Sequence, residues 1–238
     1  MDFAERVEDV RRRVEVACRR AGREPAAVTI VAVSKTFGPE EVRQAADCGL
    51  NVLGESKVQE AAQKIPLCPG QLEWHMVGHL QRNKVGLAVK LFKRIHSVDS
   101  ARLLEAVNAA CREEGCVMPV LIEVNVSGER SKFGLPPAEV PALLEQSSRL
   151  MNVSVAGLMT VPPFEPEPEA ARPFFRRLRE CRDAWRASTG FELPELSMGM
   201  SHDFEVAIEE GATWVRIGTA IFGSRPPRRP AADEGEGP

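Results

Sequence analysis

The 238-residue chain contains no tyrosine, so no phenol is on hand as an acid, a base or a ring partner. It has six cysteines, and no two of them form a CxxC pair or a Cys/His spacing that suits zinc. Cys18, Cys48, Cys111 and Cys181 fall in helical patterns near Ala or Val and read as small buried hydrophobes of a reducing compartment. No charge sign dominates. Thirty-one basic residues against thirty-four acidic ones leave a net charge of −3, which argues against a nucleic-acid binder. The local runs Arg11-Arg12-Arg13 and Arg176-Arg177/Arg179 lie beside acidic residues on helix-like stretches and read as solvated faces. No apolar stretch is long enough to cross a bilayer, and residues 1–13 lack the apolar core of a secretory signal. The expectation is a soluble, cytoplasmic protein.

What is present is an alternation. The chain opens on an amphipathic helix whose Phe3, Val7, Val10, Val14, Ala17 and Cys18 recur at spacings of three and four, stopped by Gly22. Strand-like runs follow at residues 28–33, 51–54, 73–77, 94–98, 117–126, 153–159, 195–198 and 213–217, with a helical pattern after each of the first seven. The fifth run is the longest. Ser100 is placed to cap the helix that carries Leu103, Leu104, Val107 and Cys111. Eight such units predict an α/β fold, a single (β/α)8 barrel over residues 1–225 with an extra N-terminal helix. A doubly wound open sheet satisfies the same alternation. The Pro-, Gly- and Glu-rich segment 226–238 is expected to be a disordered tail.

Three features carry chemistry. Lys35 directly follows the first apolar strand, where a barrel places its active-site residues. An amine against low-dielectric walls loses solvation and becomes a usable nucleophile toward a carbonyl. The turn Ser197-Met198-Gly199-Met200-Ser201-His202-Asp203 and the turn Gly218-Thr219-Ala220 follow strands seven and eight, where barrels often build phosphate sites. Asp203 or Ser201 is a candidate cap for the helix after the first turn. Arg216 sits within the eighth strand and needs an acceptor, either a carboxylate or a ligand's ring nitrogen. An arginine facing a pyridine nitrogen leaves it unprotonated and weakens the ring as an electron sink. Among the histidines, His75 and His79 are poor metal candidates. His96 and Asp99 flank a strand end and can orient each other, and His202 reads as surface or supporting.

The segment Val31-Ala32-Val33-Ser34-Lys35-Thr36 resembles the lysine segment of the YggS/PROSC family of pyridoxal phosphate homeostasis proteins. The likeness continues through Gly54-Glu55, Trp74-His75-Met76-Val77-Gly78-His79, Ser131-Lys132-Phe133-Gly134, Gly157-Leu158-Met159-Thr160, Ser197-Met198-Gly199-Met200-Ser201 and Arg216-Ile217-Gly218-Thr219. It implies a barrel like the N-terminal domain of alanine racemase and pyridoxal 5′-phosphate held as a Schiff base on Lys35. It places Arg216 near the pyridine nitrogen, with Ser197, Ser201, Gly218 and Thr219 around the phosphate. It further implies a monomer that carries or buffers the cofactor, can deliver it to apo-enzymes, and has no established turnover. The family usually has Asn where this chain has Ser56.

Two enzyme readings use the same lysine. A racemase of this fold pairs its lysine with a tyrosine, which this chain lacks, and carries a C-terminal β domain for which residues 226–238 leave no room. A Schiff-base aldolase needs only the lysine and the phosphate turns. The exposed loop 162–168 and the basic helix near Arg176 are the candidate partner surfaces of a carrier.

Overall fold

The computed structural model of the chain describes residues 1–129 and 131–224. Eight short strands alternate with helices in the order α1 (Phe3–Arg20), β1 (Thr29–Val33), α2 (Pro39–Asp47), β2 (Val52–Glu55), α3 (Val58–Lys64), β3 (Glu73–Met76), α4 (Val85–Leu91), β4 (Arg94–Val98), α5 (Ala101–Glu113), β5 (Met118–Glu123), α6 (Val140–Ser147), β6 (Val153–Met159), α7 (Arg172–Thr189), β7 (Glu195–Met200), α8 (Phe204–Glu209), β8 (Trp214–Ile217) and α9 (Thr219–Phe222). Every neighbouring pair of strands is parallel in chain order. β8 returns to pair with β1, with Val31 opposite Arg216 and Ala32 opposite Ile217. That last pairing closes the barrel and excludes the open sheet.

The extra N-terminal helix forms because its sequence signals both ends. Asp2 Oδ1 accepts the Glu5 N–H and Glu5 Oε2 accepts the Asp2 N–H, each at 2.8 Å, a reciprocal cap. Val7, Val10, Val14, Ala17 and Cys18 are the buried face. Arg6 Nε donates to the Ile221 carbonyl and Arg13 Nε to Glu205, which ties α1 to the last two helices. Ser100 caps α5 by accepting the Leu103 N–H at 3.3 Å. The basic cluster on α7 is an ion-pair face, since Arg172, Arg176 and Arg179 converge on Glu210. The six cysteines are free thiols. No helix of the described residues is long and apolar enough to cross a membrane.

Two local expectations are corrected. The fifth strand ends at Glu123, and β6, with seven residues, is the longest. The cause is Asn125, whose Oδ1 accepts from Ser127 Oγ and the Gly128 N–H and turns the chain outward. Leu135 then returns to bridge Val124. Gly134 permits this at φ +104, where a Cβ would stand 2.8 Å from the Asn125 nitrogen. The second correction concerns α8, which has no side-chain cap. The Asp203 carboxylate instead accepts the Met200 N–H at 2.7 Å, inside the turn that precedes the helix. The expected tail, residues 226–238, lies outside the described residues.

Candidate functional site

A cavity of about 310 Å³ opens at the C-terminal ends of the strands. Its wall includes Lys35 after β1, Ser56 after β2, Ser201 after β7, and Arg216, Gly218 and Thr219 from β8 and its turn. Ser201 Oγ accepts the N–H groups of Gly218 and Ala220, each at 3.2 Å. The two adjacent turns therefore already point donors at one oxygen, which is what a phosphate requires. Gly218 itself lies close to β1, since a Cβ there would come within 3.3 Å of the Val33 carbonyl. His202 is exposed on the rim, with Nε2 at 3.1 and 3.0 Å from the carbonyls of Glu165 and Pro166.

Ser197 does not join them. It is fully buried and absent from the cavity wall. Ser197 lies on β7 proper and points into the barrel, one residue behind Arg216 in the hydrogen-bond network. There it is one link in a hydrogen-bond chain that sequence reasoning did not find. Arg216 Nη1 donates to Ser197 Oγ at 2.7 Å. Ser197 Oγ lies 2.8 Å from His96 Nδ1, His96 Nε2 lies 3.0 Å from His75 Nδ1, and His75 Nε2 lies 2.8 Å from Glu73. The Glu73 carboxylate only accepts, so with both rings neutral the tautomers follow from it: His75 donates to Glu73, His96 to His75, and Ser197 to His96. Burial, then the nearby His75 and Arg216, hold His96 well below the ordinary histidine value, so it stays neutral. Burial likewise lowers His75, against the pull of Glu73. Arg216 also donates to the Thr160 carbonyl at 2.9 Å. Burial brings its value down to about 10, which leaves it charged at neutral pH. Its acceptors are thus a hydroxyl and a carbonyl, and among the described residues no carboxylate is paired with it directly.

A second buried network holds the Lys35 turn. Lys64 Nζ donates to the Ser34 carbonyl at 2.8 Å, to Glu55 Oε1 at 2.6 Å and to Glu60 Oε1 at 3.1 Å. Ser34 Oγ donates to the same Glu55 oxygen at 2.7 Å, and the Thr36 N–H to Glu60 at 2.5 Å. The backbone is therefore gripped on both sides of Lys35. Thr36 has φ +72, a strained value for a β-branched residue. The clamp holds that strain next to the amine. Lys64 reads in sequence as an ordinary helix-surface residue. The available signal was Glu60 four residues before it, with Glu55 at the end of an apolar strand.

Asp99 pairs with His79 at 3.0 Å and not with His96, because His96 points into the barrel. Glu123, at the end of β5, is buried, and its Oε2 has no hydrogen-bond partner. Burial first, with Asp99 adding and Arg216 opposing, pushes its carboxyl up to about 7. A raised acid value means the folded chain keeps a proton that the unfolded chain releases. Stability from this group is therefore full below about 4.5 and falls as pH rises to about 7. Relative to wild type, Glu123→Gln is expected to gain up to about 3 kcal/mol between pH 5 and pH 8. Urea unfolding at the two pH values checks this, and parallel profiles for the two proteins would refute it.

The alanine racemase N-terminal domain family matches residues 6–226. The pyridoxal phosphate homeostasis protein of Aquifex aeolicus is 47% identical over 226 residues, covering 94% of this chain and 99% of that protein. The protein of the same name from Escherichia coli K12 is 38% identical over 233 residues, covering 94% and 97%. PipY of Synechococcus elongatus, solved with PLP bound, superposes with a TM-score of 0.83 at 34% identity, covering 93% of this chain and all of that one.

Proposed function

The chain belongs to the family of pyridoxal phosphate homeostasis proteins built on the alanine racemase N-terminal domain, and on that premise we propose that it binds pyridoxal 5′-phosphate at Lys35 and serves the intracellular supply of that cofactor without turning over a substrate. The observation that carries this reading is the meeting of Lys35, the Ser201/Gly218/Ala220 donor point and Arg216 around one cavity. When bound, the cofactor supplies an aldehyde that condenses reversibly with a primary amine.

The chain's own residues divide the remaining work. The Gly218 and Ala220 N–H groups, Ser201 and Thr219 suit the phosphate. Arg216, fixed by Ser197 and Thr160, presents a cation that cannot accept a proton to the ring nitrogen. The Lys64 clamp orients the Lys35 backbone. Ser56 lines the cavity with a shorter side chain than the family's usual Asn. Val33, Val77 and Val161 supply apolar wall.

Against racemization stands the absence of tyrosine from the whole chain. No phenol is available to take or give the second proton. The holo-protein is expected to pass its cofactor, as a monomer, to an apo-enzyme. Mixing the two and timing the gain of enzyme activity against free-cofactor release tests delivery. Transfer faster than release supports it, and equal rates reduce the role to buffering. Exchange of the alanine Cα proton in deuterated buffer would overturn the absence of turnover.

A further inference from the structure

Beside the Lys35 cavity lies a second one of about 310 Å³, which shares Val77, Gly78 and Val161 with it. Its other walls are His79, Glu123, Ser131, Lys132, Phe133 and Met159. The first cavity contains Lys35 and Arg216, and Glu123 does not line it. Yet Glu123 is 5% exposed, reaches this second cavity, and carries an oxygen with no hydrogen-bond partner. A buried polar atom without a partner costs free energy comparable to a lost hydrogen bond. The ionised carboxylate accepts hydrogen bonds and does not donate, so what the charged form lacks is a donor.

We propose that this second cavity binds a small alkylammonium group, with its N–H donated to Glu123 and its carbon substituents against Phe133, Met159, Val77 and Val161. A cation supplies both the missing donor and the opposite charge. A metal ion is a poorer fit, since no cluster of three or more His, Cys, Asp or Glu side chains that could hold one occurs among the described residues. Phe133 stacks on His79 with ring centroids 4.1 Å apart, and it offers the cation an aromatic face. The groups around Glu123 divide. Asp99 favours a cation there and Arg216 opposes one. His79 is held by Asp99, and Lys132 lies on the wall. A carboxyl poised near 7 gives up its proton when the cation arrives.

The inference stands without the cofactor reading, and the probe keeps the two apart. Trimethylammonium donates one N–H but cannot condense with an aldehyde. Calorimetry of the full-length protein at pH 7, in two non-amine buffers of different ionisation heat, is expected to show binding with proton release. Glu123→Gln is expected to bind at least about tenfold more weakly and to release no proton. Lys35→Ala is expected to bind as wild type does. Phe133→Ala, at the exposed rim, is expected to weaken binding several-fold and serves if Glu123→Gln does not fold. Equal binding by wild type and the Glu123 and Phe133 variants, no binding by folded wild type, or loss of binding in Lys35→Ala would overturn the proposal. So would preferential binding of acetate, which would make the cavity an anion site.

Discussion

Lys35→Met is expected to yield colourless protein that carries no pyridoxyl mass after borohydride reduction. Wild-type protein is expected to be yellow, to bleach under borohydride, and to carry the added mass on the peptide containing Lys35. The reasoning is geometric. Among the described residues on the cavity wall, Lys35 is the lysine that shares the space with Ser201, Gly218 and Arg216. Lys64, the nearest buried amine along the network, is committed to Glu55, Glu60 and the Ser34 carbonyl. Methionine keeps the length and apolar character of the stem and removes only the nucleophile. Mass spectrometry of the reduced, digested protein decides the matter. Label on Lys132 in place of Lys35 would move the covalent site into the neighbouring cavity.

The second large effect belongs to Lys64. Lys64→Met leaves Glu55, which is fully buried, without its cation. Removing one partner of a buried pair costs on the order of 3–5 kcal/mol, because the remaining charge is stranded. Burial already pushes the Glu55 carboxyl up, against the pull of Lys64. The single variant should therefore unfold at markedly lower urea, most severely at alkaline pH where Glu55 must ionise. Glu55→Gln/Lys64→Met removes both charges and is expected to recover most of the loss. The single variant should also trap the cofactor more slowly at Lys35, since the Ser34 carbonyl loses its anchor. A double variant no more stable than the single one would show that the clamp's worth lies in packing and not in the ion pair.

The parts of the molecule that were legible in sequence are those set by local pattern. The alternation of short apolar runs with amphipathic helices specified the units, and Ser100 announced the start of α5. Lys35, Ser201, Gly218 and Thr219 stand beyond strand ends and Arg216 one residue short of one, and because in a barrel all such ends face one way they share a cavity wall. Closure depends on β1 meeting β8, a contact between residues nearly two hundred positions apart, and no local signal encodes it. That Ser197 faces the barrel interior was illegible for the same reason. Whether a side chain near a strand end faces the axis or the mouth depends on register, which one residue of slip reverses. The Lys64 clamp stayed hidden because a lysine four residues after a glutamate on a helix is usually solvated. Asn125 was overlooked as a turn former because the apolar run continued on either side of it.

The chain of donors from Arg216 to Glu73 has one more consequence. All of its hydrogen bonds run one way, and it begins at a group with no lone pair to offer. A relay of this kind passes protons from donor to acceptor, toward Glu73, so a proton arriving at Glu73, on the opposite face of the barrel, meets a His75 Nε2 that already carries its hydrogen and goes no farther. Arg216, at the cavity end of the chain, is thereby cut off from protons that arrive beneath the barrel. The cavity's own mouth, lined by Lys35 and Ser201, is then the side from which a molecule held there would exchange protons with solvent.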